Sequence, residues 1–174
     1  LVGSEMCIRD RLGYHRLKRE AEKYNIRVYA GAELRFDGSD NDYLLYGFHD
    51  ELLADPDRVM REGLAAFAPQ YRADGALLVQ AHPFRKKCTP APAEYLDGIE
   101  VLNLNPRHDS HNDLALAYAR EHHLIMTAGS DCHRPGDQGT TGILSDTLPE
   151  DSFGLADLLR SGNYTIIHPE CTED

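Results

Sequence analysis

Leu124-Ile125-Met126-Thr127-Ala128-Gly129-Ser130-Asp131-Cys132-His133 opens as a short apolar run and closes on a turn of small residues carrying a carboxylate and an imidazole two positions apart. The run predicts a strand from Leu124 to Ala128. A helical pattern from about Ser110 to His123 precedes it, and strand-like runs lie further upstream at Gly98 to Asn103 and Ala76 to Gln80. Asp55-Pro56 predicts a helix start, with an Asp cap and Pro in the first turn, and Val59, Gly63, Leu64, Phe67 and Tyr71 form one inner face. Nearer the N-terminus, Tyr14, Leu17, Ala21 and Tyr24 fall at helical spacing, and Ile26, Val28 and Ala30 alternate as a strand that ends at Gly31. Tyr43 to Phe48 is a further apolar run after the turn-rich stretch from Asp37 to Asp42. Downstream, a short strand near Gly142 to Leu144, a helix near Phe153 to Arg160 and a strand from Tyr164 to Ile167 complete the pattern.

Strands alternating with helices predict an α/β domain with a largely parallel sheet. In such folds the chemistry collects at the C-terminal ends of the strands. Glu33 follows the strand predicted to end at Ala30, and His82 follows the one ending at Gln80. Asn103 and Asn105 follow the strand through Val101, and Asp131 and His133 follow the one ending at Ala128. In extended chain, residues i and i+2 face the same way, so Asp131 and His133 can reach one cation. A capped turn is the other reading of that pair. His82 precedes Pro83, which pushes it toward extended backbone. Carboxylate oxygen with imidazole nitrogen suits Zn, Mn or Fe. Arg85, just after the His-Pro turn, is placed to fork a pair of phosphate oxygens, with a solvated rim charge as the alternative. Asn103 is expected to tie its loop or contact substrate.

The net charge of −11 argues against an extensive nucleic-acid-binding surface. It leaves room for a small phosphorylated substrate, because bound cations reverse the local field. No apolar run has the length of a membrane span. Cys7, Cys88, Cys132 and Cys171 are widely spaced and read as free thiols of a reducing, cytoplasmic setting. Residues 1–11 lack periodicity and resemble a translated cloning or sequencing adapter, so a non-native leader followed by a single domain over 12–174 is expected.

Gly31-Ala32-Glu33, Asp42 to Phe48, Gln80-Ala81-His82-Pro83-Phe84-Arg85, Gly98 to Asn103 and Gly129-Ser130-Asp131-Cys132-His133 resemble, in order, the motifs of the PHP (polymerase and histidinol phosphatase) family. The closing Gly142 to Leu144 and Leu158 to Tyr164 resemble its C-terminal strands. The resemblance implies a distorted (β/α)7 barrel, here lacking its first one or two strands. It also implies a site of two or three divalent metal ions (Mn, Fe or Zn) that hydrolyses phosphate esters, in the manner of histidinol phosphatase. Glu33 would bridge metals, His82 would be a ligand, and Asp131 and His133 would close the site. Family members begin with a His-x-His strand, and this chain has no His-x-His. The resemblance therefore implies an incomplete ligand set, with weak metal binding and little turnover expected. Alternatives are a nuclease of the same family, acting on nucleotides or short nucleic acid, and an inert fragment or accessory binding domain. The amidohydrolases, a second class of metal barrel, fit less well, because many use a strand-end lysine and none stands in such a place.

Overall fold

In chain order the elements are α1 (Arg11–Glu22), β1 (Gly31–Leu34), β2 (Tyr43–Tyr46), α2 (Pro56–Glu62), α3 (Leu64–Asp74), β3 (Leu77–Gln80), β4 (Gly98–Asn103), α4 (Asn112–Glu121), β5 (Ile125–Gly129), β6 (Gly142–Leu144), α5 (Ser152–Ser161) and β7 (Thr165–Ile167). This computed structural model describes residues 11–168. The adapter-like stretch falls outside the described residues but for Arg11, as do Cys7 and Cys171.

β1 to β5 form one sheet in sequential order, and β6 and β7 form a separate antiparallel pair. The sheet is mixed rather than largely parallel. β1 pairs antiparallel with β2 and β2 antiparallel with β3, whereas β3, β4 and β5 run parallel. Among the described residues the strands do not close into a barrel. The expected strand Ile26 to Ala30 lies outside the sheet, and pairing begins only at Gly31. Glu33 therefore stands inside β1 rather than after a strand.

β3 and β4 are buried along their whole length, as their apolar sequences require of strands covered on both faces. Alternation along β2 sorts the two faces. Tyr43 and Leu45 join Leu34, Phe36, Val59, Phe67, Tyr71 and Leu78 beneath α2 and α3. Leu44 joins Leu77, Val79 and Ala81 against Leu155, Ala156 and Leu159 of α5. α4 covers β4 through Ala119, against Ile99 and Val101. The helix expected from Asp55 is two helices, because Gly63 sits at φ 81° and interrupts the α conformation. Its start matches expectation: Asp55 accepts from the Arg58 amide, with Pro56 as the first helical residue.

Gln80 closes β3 with no solvent exposure. Its Nε2 donates to the Thr89 carbonyl at 2.8 Å and its Oε1 accepts from the Ala91 amide at 2.8 Å. One buried amide thus fastens the whole loop after β3. Gln80→Met should keep the volume but leave those main-chain groups unpaired. A loss of about 2–4 kcal/mol in urea unfolding is expected, and a change below ~0.5 kcal/mol would show that the loop is held by other means.

Candidate metal centre

The directions of the strands decide what meets at the rim. β3, β4 and β5 present their C-terminal ends there, and β1 does so too because it lies two antiparallel steps from β3. β2 runs the other way and presents its beginning. Asp42, the residue before β2, therefore arrives beside the residues that follow β3, and its carbonyl accepts from the Ala81 amide at 2.9 Å.

Glu33, Asp42 and His82 form the resulting cluster, with one potential ligand atom from each lying within 4.8 Å of the others. Asp42 and His82 are buried and Glu33 half-buried. His82 Nε2 stands 3.6 Å from Asp42 Oδ2. Two carboxylates and an imidazole fit a divalent cation of the Mn, Fe or Zn type. Sequence reasoning missed Asp42, which ended a run of turn-forming residues. With the strand expected at Ile26 to Ala30 the link to Tyr43 was long enough for a parallel crossover, and only the strand's true end at Leu34 makes that link too short and so implies a reversed strand.

His82 does not take the extended backbone expected before proline. Its φ is 28°, and that of Asp131 is 47°, both in the region that residues with a β-carbon avoid. Since Asp131 is not extended, it and His133 do not project side by side. His133 Nδ1 instead contacts Asp131 itself, 3.0 Å from both its main-chain oxygen and Oδ1. Asp131 Oδ2 accepts from Arg85 Nη2 at 2.6 Å and from Asn105 Nδ2 at 3.2 Å. Of the four residues expected as ligands, Glu33 and His82 share the cluster. Asp131 and His133 lie on the wall of the same cavity, outside that cluster.

This cavity has a volume of about 350 Å³. Besides these side chains it is lined by Arg35, Arg85, Asn105, Arg107, His108 and Arg134. Arg85 does not point freely outward to fork an anion: its Nη2 is shared between Asp131 and Asn103 Oδ1, the latter at 2.8 Å. Asn103 is buried and stands behind the cavity wall as a tie between loops. Arg35 clamps Asp42 through Nε and Nη2, both at 2.6 Å. Arg107 clamps Asp137 in the same two-pronged way. His111 occupies the position before α4 without a side-chain capping bond, and the His122 ring packs tilted against Tyr118 at the end of that helix.

Burial, reinforced by the charges of Asp42 and Asp131, pushes the Glu33 carboxyl up to about 7. Burial, with Arg85 nearby, holds His82 below its ordinary value and so favours the neutral imidazole that can bind a metal. Burial alone would raise Asp131, but the hydrogen bond and charge of Arg85 bring it below the usual carboxylate range. Behind the rim, burial pushes Glu100 up to about 7.

The family model described as PHP-associated matches residues 109–161, a span that contains α4, β5, Asp131 and His133. Over those residues the chain is similar to the PHP-associated family. Two solved structures share its fold. PsfC from Pseudomonas syringae PB-5123 is 19% identical with a TM-score of 0.60, over 82% of this chain and 62% of PsfC. A provisionally named metal-dependent phosphoesterase from Bifidobacterium adolescentis is 15% identical with a TM-score of 0.53, over 90% of this chain and 84% of its own. The chain thus spans less than two thirds of PsfC. No curated protein matches it. Among the described residues no helix is long and apolar enough to cross a membrane.

The raised Glu33 carboxyl has a definite consequence for stability. Its folded value of about 7 lies above the ordinary 4.5, so the native state holds that proton more tightly. The associated stability is present below 4.5 and is lost as pH rises through 7. Relative to wild type, metal-free Glu33→Gln should therefore become progressively more stable between about pH 5 and about pH 8 in urea unfolding. Excess Mn²⁺ should reverse the order at the upper end. A difference independent of pH would mean that Glu33 ionises normally.

Proposed function

We propose that this chain is of the PHP type and carries the site of a metal-dependent phosphoesterase acting on a small phosphate monoester, of which histidinol phosphate is one candidate. The observation that carries the reading is the make-up of one cavity. Glu33, Asp42 and His82 offer a cation two carboxylates and an imidazole, and four arginines (Arg35, Arg85, Arg107 and Arg134) line the same space in a chain of net charge −11. Cationic side chains gathered at carboxylates in an otherwise acidic protein favour an anion that binds together with a metal. The metal-dependent phosphoesterase assignment of the Bifidobacterium adolescentis neighbour supports the same chemistry. A cavity of about 350 Å³ suits a small ligand better than an extended polymer.

A bound divalent cation would supply neutralisation of phosphoryl charge and acidification of water. The protein's own groups do the rest. Glu33, Asp42 and His82 would hold the cation, with the imidazole kept neutral by burial. Arg134 is exposed on the cavity wall and can meet an entering phosphate. Arg85 keeps a buried Nε without a hydrogen-bond partner among the described residues, so Asn103 and Asp131 do not saturate its guanidinium. Asp131 and His133 are proposed as further ligands that a second cation would recruit.

Calorimetric titration of the chain with Mn²⁺, alongside hydrolysis of p-nitrophenyl phosphate, tests the reading. Cation binding is expected to weaken at least about 10-fold in His82→Ala and in Asp42→Asn. Turnover, however slow, should track bound cation and vanish with EDTA. Absence of binding at millimolar Mn²⁺, or hydrolysis indifferent to EDTA, would overturn the proposal.

A further inference from the structure

Glu100 lies in the middle of β4 between Ile99 and Val101 and is only 2% exposed. An ionisable side chain in a strand interior is costly unless its oxygens are used. Its Oε2 accepts two hydrogen bonds, from the main-chain amide of His82 and from Asn103 Nδ2, both at 2.9 Å. His82 holds a φ of 28°, and a bond to its own amide fixes that unfavourable conformation directly. Asn103 passes the constraint on. Its Oδ1 accepts from Arg85 Nη2 at 2.8 Å and from the Asn105 amide at 3.1 Å, and the same Arg85 nitrogen reaches Asp131 at 2.6 Å. Glu100 is absent from the wall of the metal-site cavity, so it touches the site only through these partners.

The other oxygen explains a residue of the Gly-Ser-Asp turn. A β-carbon on Gly129 would come within 2.6 Å of Glu100 Oε1. The glycine at that position leaves room for the carboxylate, so β5 and β4 are matched to each other behind the site.

We propose that Glu100 is a positioning residue that sets the relative placement of the loops after β3, β4 and β5, and so the geometry of His82 and Asp131. This rests on the reading of the site as a metal centre. Glu100 acts as a hydrogen-bond acceptor, which separates it from a buried residue that merely fills space. Glu100→Gln retains an acceptor, Glu100→Met retains only volume, and Gly129→Ala crowds the carboxylate without removing it.

Two measurements on the full chain decide the matter: hydrogen exchange of the His82 amide by NMR without metal, and Mn²⁺ affinity by calorimetry. In Glu100→Met the His82 amide should exchange at least about 10-fold faster and Mn²⁺ affinity should fall about 10–100-fold. The Phe67 amide in α3 should stay protected. Glu100→Gln should remain within about 3-fold of wild type in both. A folded Glu100→Met with wild-type His82 protection and affinity overturns the inference, as does a Glu100→Gln equally damaged. Should Glu100→Met fail to fold, Gly129→Ala is expected to show both changes in weaker form, and no change in either overturns the inference. If wild type binds no Mn²⁺, the metal-centre reading fails, and His82 exchange alone still decides whether Glu100 positions that loop.

Discussion

Three carboxylates, Glu33, Asp42 and Asp131, face one cavity, and like charges so confined raise each other's energy unless something compensates them. The protein compensates in three ways. Arg35 clamps Asp42, Arg85 clamps Asp131, and Glu33 keeps its proton up to about pH 7. A divalent cation can take over each of these roles. The compensating groups differ in how readily they yield. The Arg35 side chain is 58% exposed and can swing into water, whereas that of Arg85 is 13% exposed and fixed by Asn103 as well. The cluster of Glu33, Asp42 and His82 is therefore the side of the cavity that would open to a cation at least cost.

That convergence depends on a single reversal in the sheet. If β2 ran parallel to its neighbours, Asp42 would stand at the far edge and the cluster would lose a carboxylate. Antiparallel pairing on both sides of β2 puts its first residue at the same rim as the last residues of β1, β3, β4 and β5. His82, Asn103 and Asp131 do stand at the C-terminal ends of the parallel strands. Asp42 does not, because there the rim meets a strand's start.

Much of this was legible in the sequence, for physical reasons that also mark the limits. β3, β4 and β5 carry apolar runs that end in polar residues, and these runs place His82, Asn103 and Asp131 at strand ends. Glu33 was placed at the right rim for a wrong reason. The alternation Ile26, Val28, Ala30 looks like a strand, but Gly31 to Leu34 is the segment that finds a partner in β2. Strand direction follows from the length of a link rather than from the residues in it, and the link before Tyr43 is short only once the strand is placed at Gly31 to Leu34. The pairing of Arg85 with Asp131 was not legible at all, because it joins loops 46 positions apart whose meeting depends on the parallel register of β4 with its neighbours.

The division of labour among the polar residues follows from the same electrostatics. The loops around the cavity are fastened largely by neutral amides. Gln80 and Asn41 hold the loop after β3, Asn112 brackets Asn103 through both its main-chain groups, and Asn105 holds the Asp131 carbonyl. An amide side chain gives up a donor and an acceptor together, does not titrate, and binds a divalent cation less strongly than a carboxylate. Fastening the loops this way adds no further charge to a rim that already holds Glu33, Asp42 and Asp131. Two carboxylates are also used as fasteners: Asp137, which accepts from the His133 and Arg134 amides, and Glu100. Glu100 stands behind the rim rather than on it, near enough to feel the charges of Asp131 and Arg85, and its two acceptor bonds reach the His82 loop and the Asn103 amide.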